Sequence, residues 1–191
     1  MTTRITVLSA TTTGFAWDFS GFDIEPSGVA RPMRIASTNS TKQTLFSGFN
    51  SIIPSAQFTP ETNHADNFAA LANEQRADQL TVAQRATAYD ALLRIENPSR
   101  HSPDTIDCIS CHFSIHADVF VAQQHFSMTP SGNPNRYLPT SLALRSLATP
   151  TFDNSAGFNV HAFSYFGLKP GINQRAVNET AAVVEYLNAN R

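Results

Sequence analysis

Charge, lysine and cysteine are all scarce in this chain. Only 15% of its 191 residues are Asp, Glu, Lys or Arg, against roughly 25% in an average soluble protein. Of the 13 basic residues only two are lysines, Lys42 and Lys169, and the formal net charge is -2. No basic block occurs. Nucleic acid and anionic membrane surfaces are therefore not expected as partners, because both are bound through clustered Lys and Arg. No apolar run approaches the roughly 18 to 20 residues that span a bilayer, so no transmembrane segment is expected. The opening stretch, MTTRITVLSATTTGFAWDFS, has one arginine and then Thr and Ser where a secretory signal would have an apolar h-region. Also missing are internal repeats, low-complexity tracts, a Gly-rich phosphate loop, Ser-His-Asp spacing and paired carboxylates. What remains is a chain with 41% hydrophobic residues. That is enough for one large or two small folded domains. Its polar residues are mostly Ser, Thr and Asn, a balance that favours life outside the cytoplasm. The chain is then expected to be a mature fragment or a part of a longer precursor.

The only two cysteines fall in Cys108-Ile109-Ser110-Cys111-His112. A C-x-x-C-H string is the attachment motif for c-type haem. The spacing has a chemical reason. Two thiols three positions apart on the first turn of a helix can each add to one of the two vinyl groups on a porphyrin edge. The adjacent histidine then offers its imidazole to the iron as proximal ligand. Three other readings stay open on the residues alone. A thioredoxin-like redox pair needs a strand-to-helix setting, whereas Pro103-Asp104-Thr105-Ile106-Asp107 reads as a loop. A structural zinc site needs four ligands, usually two such pairs. The third reading is a coincidental string, with the two cysteines in a short disulfide or in no site at all.

Residues 1–58 read as strands. Arg4–Leu8, Phe15–Phe19, Phe22–Ile24, Arg34–Ala36 and Gln43–Phe46 alternate or run apolar between turn residues. Trp17, Phe15, Phe19 and Phe22 are expected in the core. From Thr62 the period changes to helical. Phe68, Leu71 and Ala72 share one face. Val82, Ala86, Tyr89 and Leu93 form a stripe on a helix that Thr81 caps and Asn97-Pro98 ends. A third helix starts at the cysteine motif and can continue from Phe113 to Phe126. Residues 127–169 read as loop with a short helix near Leu142–Leu147. Asn173 caps a last helix, Gln174 to Asn188. Its stripe is Val177, Ala181, Val184 and Leu187, widened by Val183 and Tyr186. The expected fold class is α+β: an antiparallel β-rich part (1–58), then a mainly helical part (59–191).

The helical part resembles a single-haem c-type cytochrome over roughly residues 62–191, most closely over 104–128 and 160–190. The resemblance rests on Cys108-Ile109-Ser110-Cys111-His112 opening a helix, on the long irregular stretch after it, and on Val183-Val184-Glu185-Tyr186-Leu187 in the last helix. It implies one covalent haem c, thioethers at Cys108 and Cys111, His112 as proximal ligand, and electron transfer with a redox partner protein. Attachment of this haem takes place outside the cytoplasmic membrane, so the periplasm or cell surface is the implied location. The family usually places a distal methionine in the loop before the last helix, and this loop has none. His161 takes that place here. It is far enough from His112 to travel round the porphyrin edge, and it stands among Phe158, Val160, Phe163, Tyr165 and Phe166. The alternative distal ligand is Met128, with His125 behind it, and His161 is otherwise a buried histidine bonded to a carbonyl. His116, one turn after His112, cannot reach the opposite face. Arg136, Tyr137 and Arg145 are candidates to hold haem propionates. An electron carrier is expected before an enzyme. The other classes are a haem enzyme or gas sensor with an open distal site, and a non-haem extracellular binding protein with a disulfide or zinc site.

Overall fold

The structure, a computed structural model, describes residues 2–12, 14–47, 52–54, 74–116, 126–129, 132–140, 163–166, 169–172 and 174–191. The N-terminal part is an antiparallel sheet. Strand β1 (Thr2–Thr11) pairs with β2 (Gly14–Ile24) without a break, from Thr2↔Asp23 to Thr11↔Gly14. The far edge of β2 takes two partners in turn. The short strand β3 (Ala30–Pro32) pairs with its C-terminal end, and β4 (Lys42–Ser47) with residues 15–20. β5 (Ile52–Pro54) adds to β4. Together with the helices below, this gives the expected α+β class.

The pleat sorts the side chains. Trp17, Phe19, Gln43 and Leu45 face inward and are buried. Asp18, Lys42 and Thr44 point to the other face, where Lys42 Nζ (3.2 Å) and Thr44 Oγ1 (2.6 Å) hold the Asp18 carboxylate. These contacts hold the Asp18 carboxyl below its usual range, Thr44 having the largest effect. Phe15 and Phe22 were both expected in the core, and both are largely exposed. Phe22 lies on the opposite face from Trp17 and Phe19 because side chains alternate along a strand. Ser20-Gly21 read as a break, yet β2 runs through it. A Cβ on Gly21 would sit 2.5 Å from the Thr3 carbonyl oxygen and 3.1 Å from Met33 Cε, so glycine here permits close approach. The strand expected at Arg34–Ala36 is a compact turn. Ile35 N–H donates to Ser40 O (2.9 Å), and Thr38 Oγ1 donates to Ile35 O (2.9 Å). Local bonds of this kind compete with a ladder, and here they win.

Four helices are described: α1 (Glu74–Gln79), α2 (Val82–Glu96), α3 (Cys108–His116) and α4 (Gln174–Ala189). A small hairpin, β6 (Phe163–Phe166) with β7 (Lys169–Ile172), precedes α4. The sequence reads as loop there, because four-residue strands leave too short a period to detect. The cap of α2 is as the sequence indicates. Thr81 Oγ1 accepts from the Gln84 N–H while Gln84 Oε1 accepts from the Thr81 N–H, a capping box. The helices expected around Phe68 and around Leu142–Leu147 lie outside the described residues, as does the expected boundary near residue 58.

One cluster of buried side chains joins sheet and helices. It contains Trp17, Phe19 and Leu45 from the sheet, Tyr89, Leu92, Leu93 and Ile95 from α2, and Ile106 and Ile109 at the start of α3. Only the second half of the expected α2 stripe is buried. Tyr89 and Leu93 are inside, but Ala86 is exposed and Val82 is 81% exposed. The C-terminal half of α2 is covered by α3 and α4, and the first turn projects beyond them. On α4 the stripe also differs from expectation. Arg175, Ala176, Asn178 and Ala181 are buried, while Val183, Tyr186 and Leu187 are exposed. Polar docking decides this face. Arg175 donates to Ile95 O (2.6 Å), His101 O (2.5 Å) and Glu179 Oε1 (2.7 Å), and Asn178 donates to Glu96 O (2.9 Å). The last carbonyls of α2, which have no partner within the helix, are thus satisfied by α4.

Because Leu45 is wholly buried in this shared cluster, Leu45→Ala is expected to cost about 2–5 kcal/mol. Trp17 emission and helical ellipticity should shift together in denaturant. Separate transitions for the two probes would show that the cluster is not one cooperative unit.

Candidate functional site

The cysteine motif opens α3, and the residue before it explains why a helix starts there. Asp107 is the N-cap. Its Oδ1 accepts from the Ser110 N–H (2.9 Å) and its Oδ2 from the Ser110 hydroxyl (2.5 Å), while its backbone carbonyl accepts from the Cys111 N–H (3.2 Å). An aspartate at this position is among the preferred caps, since it answers first-turn donors that have no helical partner. Asp107 and Ser110 are wholly buried. Burial raises the Asp107 carboxyl above its usual range, with the Ser110 hydroxyl, the Ser110 N–H and the Gln43 amide opposing it.

Cys108 and Cys111 stand at positions i and i+3 of α3, with His112 next to Cys111. All three line one cavity of about 260 Å³, together with Arg4, Arg175 and Glu179. The His112 ring packs against Phe19 of β2, with ring centroids 5.0 Å apart and planes tilted by 47°. Phe19 itself is 1% exposed, and Arg4 of β1 brings the sheet to the cavity lining. The cavity is smaller than the roughly 300–1,000 Å³ of pockets that enclose a small ligand. The described residues therefore do not by themselves enclose a small-ligand pocket.

Burial dominates the electrostatics of the two thiols. A helix N-terminus normally lowers a thiol pKa. Here burial overrides it. It pushes the Cys108 thiol up to about 11, with the Asp107 carboxylate adding to the shift. It pushes Cys111 up to about 12, opposed by Arg175 and assisted by Glu179. Both cysteines are free thiols. An activated redox pair has the opposite character, a depressed pKa and an accessible sulfur. The segment before α3 is a turn rather than a strand, so the strand-to-helix setting of that chemistry is not present. For zinc, no group of three or more His, Cys, Asp or Glu is arranged to hold a metal ion among the described residues. Cys108, Cys111 and His112 thus share the lining of one cavity.

The other candidates fall as follows. Met128 packs against the core cluster beside Phe126, whose ring lies 4.0 Å from the Arg85 guanidinium carbon. His161, His125 and Arg145 lie outside the described residues. His116 is in the last turn of α3. Tyr137, a propionate candidate, instead donates to Glu185 Oε2 (2.8 Å) on α4. Burial and then Glu185 push its hydroxyl up to about 12. Three cavity residues were missed by sequence reasoning: Arg4, Arg175 and Glu179. Only the tertiary fold brings β1 and α4 to α3. No protein-family model, curated protein or solved structure matches the chain.

The raised thiols make a direct prediction. At pH 8 about one Cys108 in 1,000 is thiolate, given a pKa of about 11. Iodoacetamide labelling of the native, haem-free chain should be slow and should keep rising past pH 10. The urea-unfolded chain should level off near the ordinary value of about 8.5. Native labelling that levels off with the unfolded chain would contradict the raised thiols.

Proposed function

We propose that the chain carries one covalent haem c and transfers electrons, working outside the cytoplasm with a redox partner protein. One observation carries the reading: Cys108, Cys111 and His112 share a single cavity wall at the capped first turn of α3. Attachment needs each thiol to add its S–H across a vinyl carbon–carbon double bond. One C–S and one C–H bond form, and no oxidant is required. His112, steadied by the Phe19 ring, supplies the proximal nitrogen. His161 is proposed as the distal ligand, with Met128 as the alternative. The haem would supply a one-electron iron couple, whose potential the axial ligands tune. Arg4, Arg175 and Glu179 set the charge around the thiols. No helix among the described residues is long and apolar enough to cross a membrane.

Expression with a haem-maturation system in the periplasm tests this. The reduced protein should show a sharp α band that carbon monoxide leaves unchanged. A carbon monoxide shift in the wild-type chain would favour the open-site reading, a haem enzyme or gas sensor. His112→Ala should abolish the low-spin spectrum. His161→Ala should give a high-spin, carbon-monoxide-binding iron. An unchanged low-spin spectrum in that variant would transfer the distal role to Met128.

A further inference from the structure

The sheet grips the motif helix through one side chain that no motif would flag. Gln43 of β4 is 1% exposed. Its amide nitrogen donates to Asp107 Oδ1 (2.9 Å), and its amide oxygen accepts from the Ile109 N–H (3.1 Å). Both ends of one glutamine are thus used on the first turn of α3. The Ile109 N–H is one of the four donors that a helix start leaves unpaired, and the N-cap does not reach it. Two outer contacts reinforce the junction. Arg4 of β1 reaches Asp104 Oδ1 (3.1 Å), and the Ser37 hydroxyl donates to Thr105 O (3.0 Å).

We propose that Gln43 is a positioning residue for haem attachment: it fixes the rotation of α3 so that both thiols and His112 face the cavity. The inference rests on the haem reading above. Its geometry is helical arithmetic. Successive residues turn by about 100°. Ile109 and Ser110, both wholly buried, are held towards the sheet by Gln43 and Asp107. Cys108, Cys111 and His112, at i, i+3 and i+4, share the adjacent face. A helix start without the Gln43 contact keeps its N-cap but loses its buried polar link to the sheet. Its first turn can then roll, and the two thiols no longer meet two vinyl groups at once.

Gln43→Met tests this, as it keeps length and volume while removing both hydrogen bonds. In the haem-free chain, the Ile109 amide should exchange roughly tenfold faster, the cost of one lost buried bond. In the matured chain, peptide mass spectrometry should show single-thioether product where the wild type shows only double attachment. Should Gln43→Met fail to fold, Gln43→Glu replaces it. That variant keeps the acceptor for Ile109 but sets a carboxylate against Asp107, and it should also yield single-thioether product. A folded Gln43 variant with complete double attachment overturns the proposal. A wild-type chain that takes up no haem overturns the haem reading, and with it the attachment role.

Discussion

The N-terminus of α3 must be answered from outside the helix, because its first N–H groups have no helical partners and lie in a buried place. Asp107 answers from one side and Gln43 from the other. Leaving either group without its partner would cost about 1–3 kcal/mol. The sheet and α3 are therefore joined by polar bonds as well as by the packing of Phe19, Leu45 and Ile109. This junction decides where the Cys-x-x-Cys-His turn points. The β-rich part is thus structurally bound up with the motif, whichever chain segments complete the site.

A second set of bonds holds the opposite wall. Arg175 sits with 4% of its side chain exposed and spends its donors on Ile95 O, His101 O and Glu179. Its charge is close to Cys111, yet the thiol remains strongly raised because burial outweighs it.

Much of this was legible in the sequence, for local reasons. The Thr81 cap, the end of α2 at Asn97, the helix opening at Cys108 and the pleated burial of Trp17 and Phe19 all follow from short-range rules. The misreadings share a different cause. Phe22, Val183, Tyr186 and Leu187 are apolar residues left exposed, and no local period announces which apolar face will find a neighbour. Gln43 gave the one available hint, a polar residue two positions before Leu45 on the inward side of β4. Its partners, Asp107 and Ile109, are more than sixty positions away. Arg4 and Arg175 were invisible for the same reason, since they reach the cavity only through tertiary packing.

The proposed haem would be held by thioethers at Cys108 and Cys111, with the His112 imidazole on its iron. The intact mass of the chain, purified from a maturation-competent periplasm and denatured, tests it most directly. The account predicts a chain heavier by one haem, with neither Cys108 nor Cys111 open to alkylation. A chain of unmodified mass with two alkylatable thiols would contradict it.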